Sequence, residues 1–503
     1  MRPLVRRLFA AAFVTFSPLA LVIALAGENL DFLPSGTRFE NPSGALTVDG
    51  PAGGIDLTGP FFQSLGTNGR SCSTCHQPGD GMSVSATHIQ ERFERSAGLD
   101  PIFRTVDGSN CNHDVDVSTH AGRRAAYKLL RTRGLIRIGI QVPAAADFAV
   151  VNVDNPYHCS ETDTISMYRR PLPAVNLRFL TTVMWDGRES SPLTGTTPIL
   201  FANYPASLLN DLAHQSVDAT TGHAQGDGTH PTALEQQQIV DFEMGLYAAQ
   251  FTVHGAGRLD ERGAAGGPSA LIVQPFFPSI NSSVNVLLPR LEQPGGLATP
   301  GDGQFTPAVF NLFNAWADVD EDDARAAILR GQALFASKPI SISGVRGIND
   351  DVTAGGLVAG GLPVLRGTCG TCHDTPNAGN HSFATPLNIG AGDPDPANPS
   401  VSLGGLDISY LPRVTVCKKD ATGHATGTCA TTTDLGQALI DGRFDHVGKL
   451  KGPILRGLSA RAPYFHNGSA RTLLDVVRFY ETRFGLSFTP RDEADLVMFL
   501  SAL

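Results

Sequence analysis

Apolar residues recur at helical spacing in five stretches of the chain. Residues 123–133 (RRAAYKLLRTR) read as an amphipathic helix. Residues 234–250 read as a second, with Ile239, Phe242, Leu246 and Tyr247 on one face. Residues 322–335 open with acidic side chains and carry Ala327, Leu329, Leu334 and Phe335. Residues 473–480 and 491–503 give two more helices. Strand signals are few, at 137–142 and 149–153. Pro-, Gly- and Ser-rich loops fill 255–270, 293–306 and 376–405. The pattern predicts a mainly α fold with long loops and insertions.

The first 26 residues stand apart. Arg2, Arg6 and Arg7 precede an apolar run from Leu8, and Ala24-Leu25-Ala26 fits a small-residue cleavage site. This reads as an export signal, with an uncleaved anchor as the alternative. The expected location is the periplasm.

With 503 residues the chain has room for two to four domains. Apolar residues make up 42% and charged residues 17%, which excludes a disordered chain. A net charge of −10 with no compact basic patch excludes a nucleic-acid binder.

Four of the eight cysteines fall into two C-x-x-C-H motifs, Cys72-Ser-Thr-Cys75-His76 and Cys369-Gly-Thr-Cys372-His373. Two thiols at this spacing can each add to a haem vinyl group, and the next residue, histidine, then lies under the iron. By composition one such motif is expected about 0.004 times. A zinc knuckle would want regularly spaced partner Cys or His residues, and none is present. A thioredoxin-like unit would want a strand before the motif, but residues 67–71 are polar and contain glycine. Two covalently bound haem c groups follow. The remaining cysteines allow three pairings; Cys111–Cys159 and Cys417–Cys429 keep each bridge within one haem region. The expected organisation is a signal peptide at 1–26, an N-terminal haem domain at 27–318 with an insertion at about 251–318, and a C-terminal cytochrome c domain at 319–503.

The chain resembles the bacterial dihaem cytochrome c peroxidase and MauG superfamily. Three blocks carry the resemblance: the paired haem motifs, Trp185-Asp186-Gly187-Arg188, and residues 451–479 (KGPILRGLSARAPYFHNGSARTLLDVVRF). It spans roughly 60–250 and 320–503. The separation of Cys72 from Cys369 is about double that usual in the family, which implies a larger-loop subfamily. The resemblance implies a peroxide-reacting first haem on His76 and an electron-transfer second haem on His373. It puts Trp185 between them as a relay or a packed interface aromatic. Arg188 and Arg456 become haem-propionate or interdomain partners.

The sixth ligands follow partly from inventory. The six methionines are Met1, Met82, Met167, Met184, Met244 and Met498, and none lies between His373 and Tyr480, where an electron-transfer haem would find one. Met498 reads as core. In the resemblance Tyr480 stands where peroxidases carry Met and MauG-type enzymes carry Tyr; His466 is the other candidate ligand. Cleavage of the peroxide bond needs a base that takes a proton and returns it. The family places a Gln, and ten residues later a Glu, after the W-D-G-R block. Gln215 fits the first, but Gln225 stands at the second and no Glu occurs from 190 to 234. His223 is the substitute base, with Asp218 next. His88 is a candidate removable ligand of the first haem, or an exposed helix histidine. The family also holds a calcium ion between its domains, toward which Asn176 and Ala462-Pro463 could contribute.

The leading expectation is a periplasmic cytochrome c peroxidase that reduces hydrogen peroxide with electrons from a small donor protein of cytochrome c or cupredoxin type. The alternatives are a MauG-like oxidase of a protein or organic substrate, favoured by Tyr480 and the missing Glu, and a dihaem electron carrier. Homodimers occur in the family, and no interface motif is visible here.

Overall fold

Strands, rather than helices, tie together residues most distant in the chain. The computed structural model describes residues 31–111, 115–159, 164–190, 206–275, 308–320, 323–350, 363–382 and 386–503. It is 31% helical and 21% strand, so the mainly α expectation is corrected to a mixed fold with several small sheets. The helical reading of 234–250 shows why. A helix does form at Ala233–Met244, opened by a reciprocal cap between Thr232 and Glu235, but it stops at Gly245. Tyr247–Val253 is a strand, paired antiparallel with Gly44–Asp49 about two hundred residues upstream. A pairing at that distance leaves no local trace in the sequence. The loop stretches also hold strands, at Gly257–Arg258 and Asn398–Ser402.

The two predicted strands form at Ile136–Ile140 and Phe148–Asp154. The second joins Arg413–Lys419 and Ala425–Thr432 in a three-stranded sheet. Both expected disulfides form, Cys111–Cys159 and Cys417–Cys429. The second links paired strands at directly opposed positions. The helix read at 123–133 is two, His120–Ala126 and Lys128–Arg133, broken at Tyr127.

The late helices form close to their expected bounds, at Ala324–Ser337, Leu473–Phe484 and Pro490–Ser501. The first crosses the last at Gly331, where a Cβ would stand 2.0 Å from the Asp495 carbonyl oxygen. Glycine therefore sets the crossing distance. Phe310, Phe335 and Phe499 fill the core beside it, with Cys369 packed against that cluster. Two smaller cores, around Phe61 with Cys72 and around Phe93 with Cys75, support the first motif. Met498 packs on the late-helix core, as read.

A buried chain of charges connects distant segments. Arg169 donates to both oxygens of Asp434, at 2.6 and 2.8 Å, and to Asp186, which also accepts from Arg188 at 3.0 Å. Among the described residues no helix is long and apolar enough to cross a membrane; residues 1–26 lie outside them.

Candidate active site

Each C-x-x-C-H motif is a short capped turn that points its histidine inward. Cys72–Thr74 is a 3-10 turn closed by hydrogen bonds exchanged between Ser71 and Thr74. Thr368 and Thr371 close Cys369–Thr371 in the same way. Neither motif's cysteines are disulfide-bonded. Burial pushes the thiols up, to about 12 for Cys72 and Cys372 and about 11 for Cys75 and Cys369. Thiols held neutral in this way are poor redox nucleophiles. His76 donates from Nδ1 to the Met82 carbonyl at 2.9 Å, and His373 from Nδ1 to the Gly379 carbonyl at 2.7 Å. Each ring thereby keeps Nε2 as an unprotonated ligand atom. Burial lowers both pKa values, which favours that neutral form.

One cleft brings the first motif together with residues from far along the chain. Cys72, Cys75 and His76 line it, and so do Trp185, Arg188, Gln215 and His223. It holds about 1280 Å³ of empty space, its open mouth included. One wall is the helix Ala206–Gly222, which presents Leu212, Gln215, Ser216, Ala219 and Thr220 at three- and four-residue spacing.

His223 follows the end of that helix. Its Nδ1 donates to Asp107 at 2.6 Å, and Arg70 donates to the other Asp107 oxygen at 2.6 Å. Burial pushes the Asp107 carboxyl up, but His223 and Arg70 outweigh it and hold it below the usual carboxylate range. The result is an imidazole oriented by a buried carboxylate, with Nε2 left to accept a proton.

Other sequence candidates lie elsewhere. Asp218 is exposed beside His214, and Gln225 turns outward to Asn68. His88 is held by Asp80 at 2.6 Å and does not line the cleft. Two acids that motif reading passed over matter here. Asp107 orients His223. Glu243 lines the cleft fully buried, with Oε2 unpartnered, and burial pushes it up to about 8. Lone carboxylates carry no spacing signal by which they could have been found.

At the second motif, Tyr480 stands with its ring 6.4 Å from that of His373, at 83°. Its hydroxyl has no hydrogen-bond partner among the described residues, and burial raises its pKa. His466 sits instead against Trp185, its Nε2 unpartnered, and burial lowers it to about 4. Arg456 is buried and, among the described residues, donates only to the carbonyls of Asn377 and Gly267, with Nε unpartnered. Burial lowers it to about 9. Lys451, also buried, is lowered to about 8, and no carboxylate pairs with it among the described residues. Buried cations without anions fit a group that brings its own carboxylates. With the free thiol pair and His373 Nε2, Arg456 beside Asn377 fits haem at the second motif, and the free thiol pair and His76 Nε2 fit it at the first. Calcium fits less well: the Asn176 amide is taken up in both directions by the Ala248 backbone. Arg188 is bonded to Asp186 at the cleft wall.

No protein-family model matches the chain, and no curated protein does. Among solved structures, a variant of the dihaem peroxidase BthA from Burkholderia thailandensis is similar over 93% of this chain and 95% of that one. The sequences are 13% identical and the TM-score is 0.25.

Proposed function

We propose that the protein is an exported dihaem c-type peroxidase with two haem-bearing regions, 27–318 and 319–503, that reduces hydrogen peroxide with electrons from a small redox protein. The reading rests on one observation: a cysteine–histidine motif, a carboxylate-held imidazole, an amide and an indole share a single cleft. Cys72, Cys75 and His76 would hold the first haem, and Cys369, Cys372 and His373 the second. Haem bound there would supply the redox chemistry, accepting electrons and passing them to peroxide.

The side chains do the rest. His223 takes a proton from peroxide at Nε2 and returns it to the departing oxygen. Asp107 fixes the ring and stabilises its protonated form. Gln215 orients peroxide by hydrogen bonding. Trp185 lies on the path along which electrons arrive from the second site. Two electrons and two further protons turn one peroxide into two waters.

A second reading is favoured by Tyr480 facing His373. A phenolate ligand there suits a MauG-like oxidase of an organic or protein substrate better than an electron-delivering haem. The test is peroxide-dependent oxidation of a reduced small cytochrome c by partly reduced holo-protein, followed by absorbance. Rapid turnover supports the peroxidase. An oxidised spectrum that persists without turnover supports the oxidase. No response to peroxide refutes both and leaves an electron carrier.

A further inference from the structure

The helix Ala206–Gly222 has a second functional-looking face, turned away from the cleft. Asp211, His214 and Asp218 lie on it at spacings of three and four residues. Across from them stands Glu189, whose backbone is anchored: its carbonyl accepts from the Thr182 hydroxyl at 2.7 Å and from the Val183 N–H at 3.0 Å. His214 Nδ1 is 2.7 Å from Glu189 Oε2 and 4.0 Å from Asp218 Oδ2. One ligand atom from each of Glu189, His214 and Asp218 lies within 4.8 Å of the others.

The cluster is not an exposed acidic patch. Glu189 is 2% exposed and Asp211 4%. Asp211 Oδ2 is buried with no hydrogen-bond partner, and Glu189 and His214 are the charged groups that act on Asp211. Among the described residues no lysine or arginine is bonded to either carboxylate. Arg188 acts on Glu189 only through space, so among the described residues the two buried carboxylates face one imidazole without a bonded lysine or arginine.

We propose that Glu189, His214 and Asp218, with Asp211 as a third, buried carboxylate beside them, bind a divalent transition-metal ion, zinc(II) by preference. One imidazole nitrogen and several carboxylate oxygens form a mixed donor set suited to zinc. His214 and Asp218 are half exposed, so the ion has a path of entry and room for water. The bound ion ties the Gln215 helix to the turn that carries Trp185 and Arg188, on the opposite side from the chemistry. The inference does not depend on the peroxidase reading.

The test uses untagged holo-protein treated with chelator, then titrated with zinc chloride by calorimetry, with metal counted after dialysis. One equivalent of zinc beyond the haem iron is expected, with a zinc-dependent rise in Tm. His214→Ala and Asp218→Asn change exposed side chains, so they leave the fold intact; each should weaken zinc binding by about tenfold or more. His230→Ala, another exposed histidine paired with a glutamate, should leave it unchanged. Absence of saturable binding overturns the proposal, as does an affinity unaltered in both variants.

Discussion

Trp185 meets His466 edge-on, with ring centroids 6.1 Å apart and planes inclined at 65°. A second route closes the pair into a ring. Trp185 Nε1 donates to the Arg170 carbonyl at 2.8 Å, and the Arg170 N–H donates to the His466 carbonyl at 2.7 Å. The Lys451 N–H also donates to the Trp185 carbonyl, at 2.7 Å. The indole of the first cleft is thus clamped by the segment that follows the second motif.

Trp185→Phe keeps an aromatic of similar shape and loses one hydrogen bond, so stability should fall by only about 1 kcal/mol. Steady-state peroxide turnover with a reduced donor should fall about tenfold or more, while haem content stays the same. Turnover at the unaltered rate would remove the indole from the electron path.

His223→Ala should slow the reaction with peroxide by about 10²–10⁴-fold, the usual worth of a positioned base. Asp107→Asn should slow it less, because the imidazole stays and only its orientation and charge support are lost. That variant leaves Arg70 without its buried counter-ion and should also lower Tm. Stopped-flow rates against peroxide concentration separate the two effects.

Burial pushes Asp186 up, but Arg169 and Arg188 outweigh it and hold the carboxyl at about 2, below its ordinary 3.8. Asp434 is likewise held low by Arg169 against its own burial. The folded state therefore binds fewer protons than the unfolded one in acid. Asp186 alone contributes about 2 kcal/mol above pH ~4, lost as pH falls toward ~2. Arg169→Met should cost roughly 3–5 kcal/mol at neutral pH and flatten that acid limb. Denaturant unfolding at several pH values checks both.

Gly331→Ala puts a methyl 2.0 Å from the Asp495 carbonyl oxygen and must push two helices apart. A loss of roughly 1–3 kcal/mol is expected, read as a lower denaturant midpoint. Gly427→Ala, with nothing within 4 Å, should change stability by less than about 0.5 kcal/mol.

Local signals were legible and distant ones were not. The histidine motifs and the last three helices follow from spacing and periodicity within a few residues, and the disulfide pairing from keeping each bridge within one haem region. Trp185, Gln215 and His223 were read separately and do share the cleft with His76. The strands escaped because Tyr247–Val253 continues a helical pattern in sequence and is claimed by Gly44–Asp49 in space. Asp107 escaped for a similar reason: its importance comes from His223 and Arg70, 116 and 37 residues away.

His76 and His373 are each pinned through Nδ1 to the carbonyl six residues on. Two sites built on one template beneath the ring cannot differ much in how strongly their imidazoles donate. On the proposed reading, a difference between the two sites in potential or in response to peroxide would come from the other side chains around them, Gln215 and His223 at one and Tyr480 at the other. Spectroscopy of holo-protein that resolved two such haems would then be reading those few side chains rather than the two cysteine–histidine motifs.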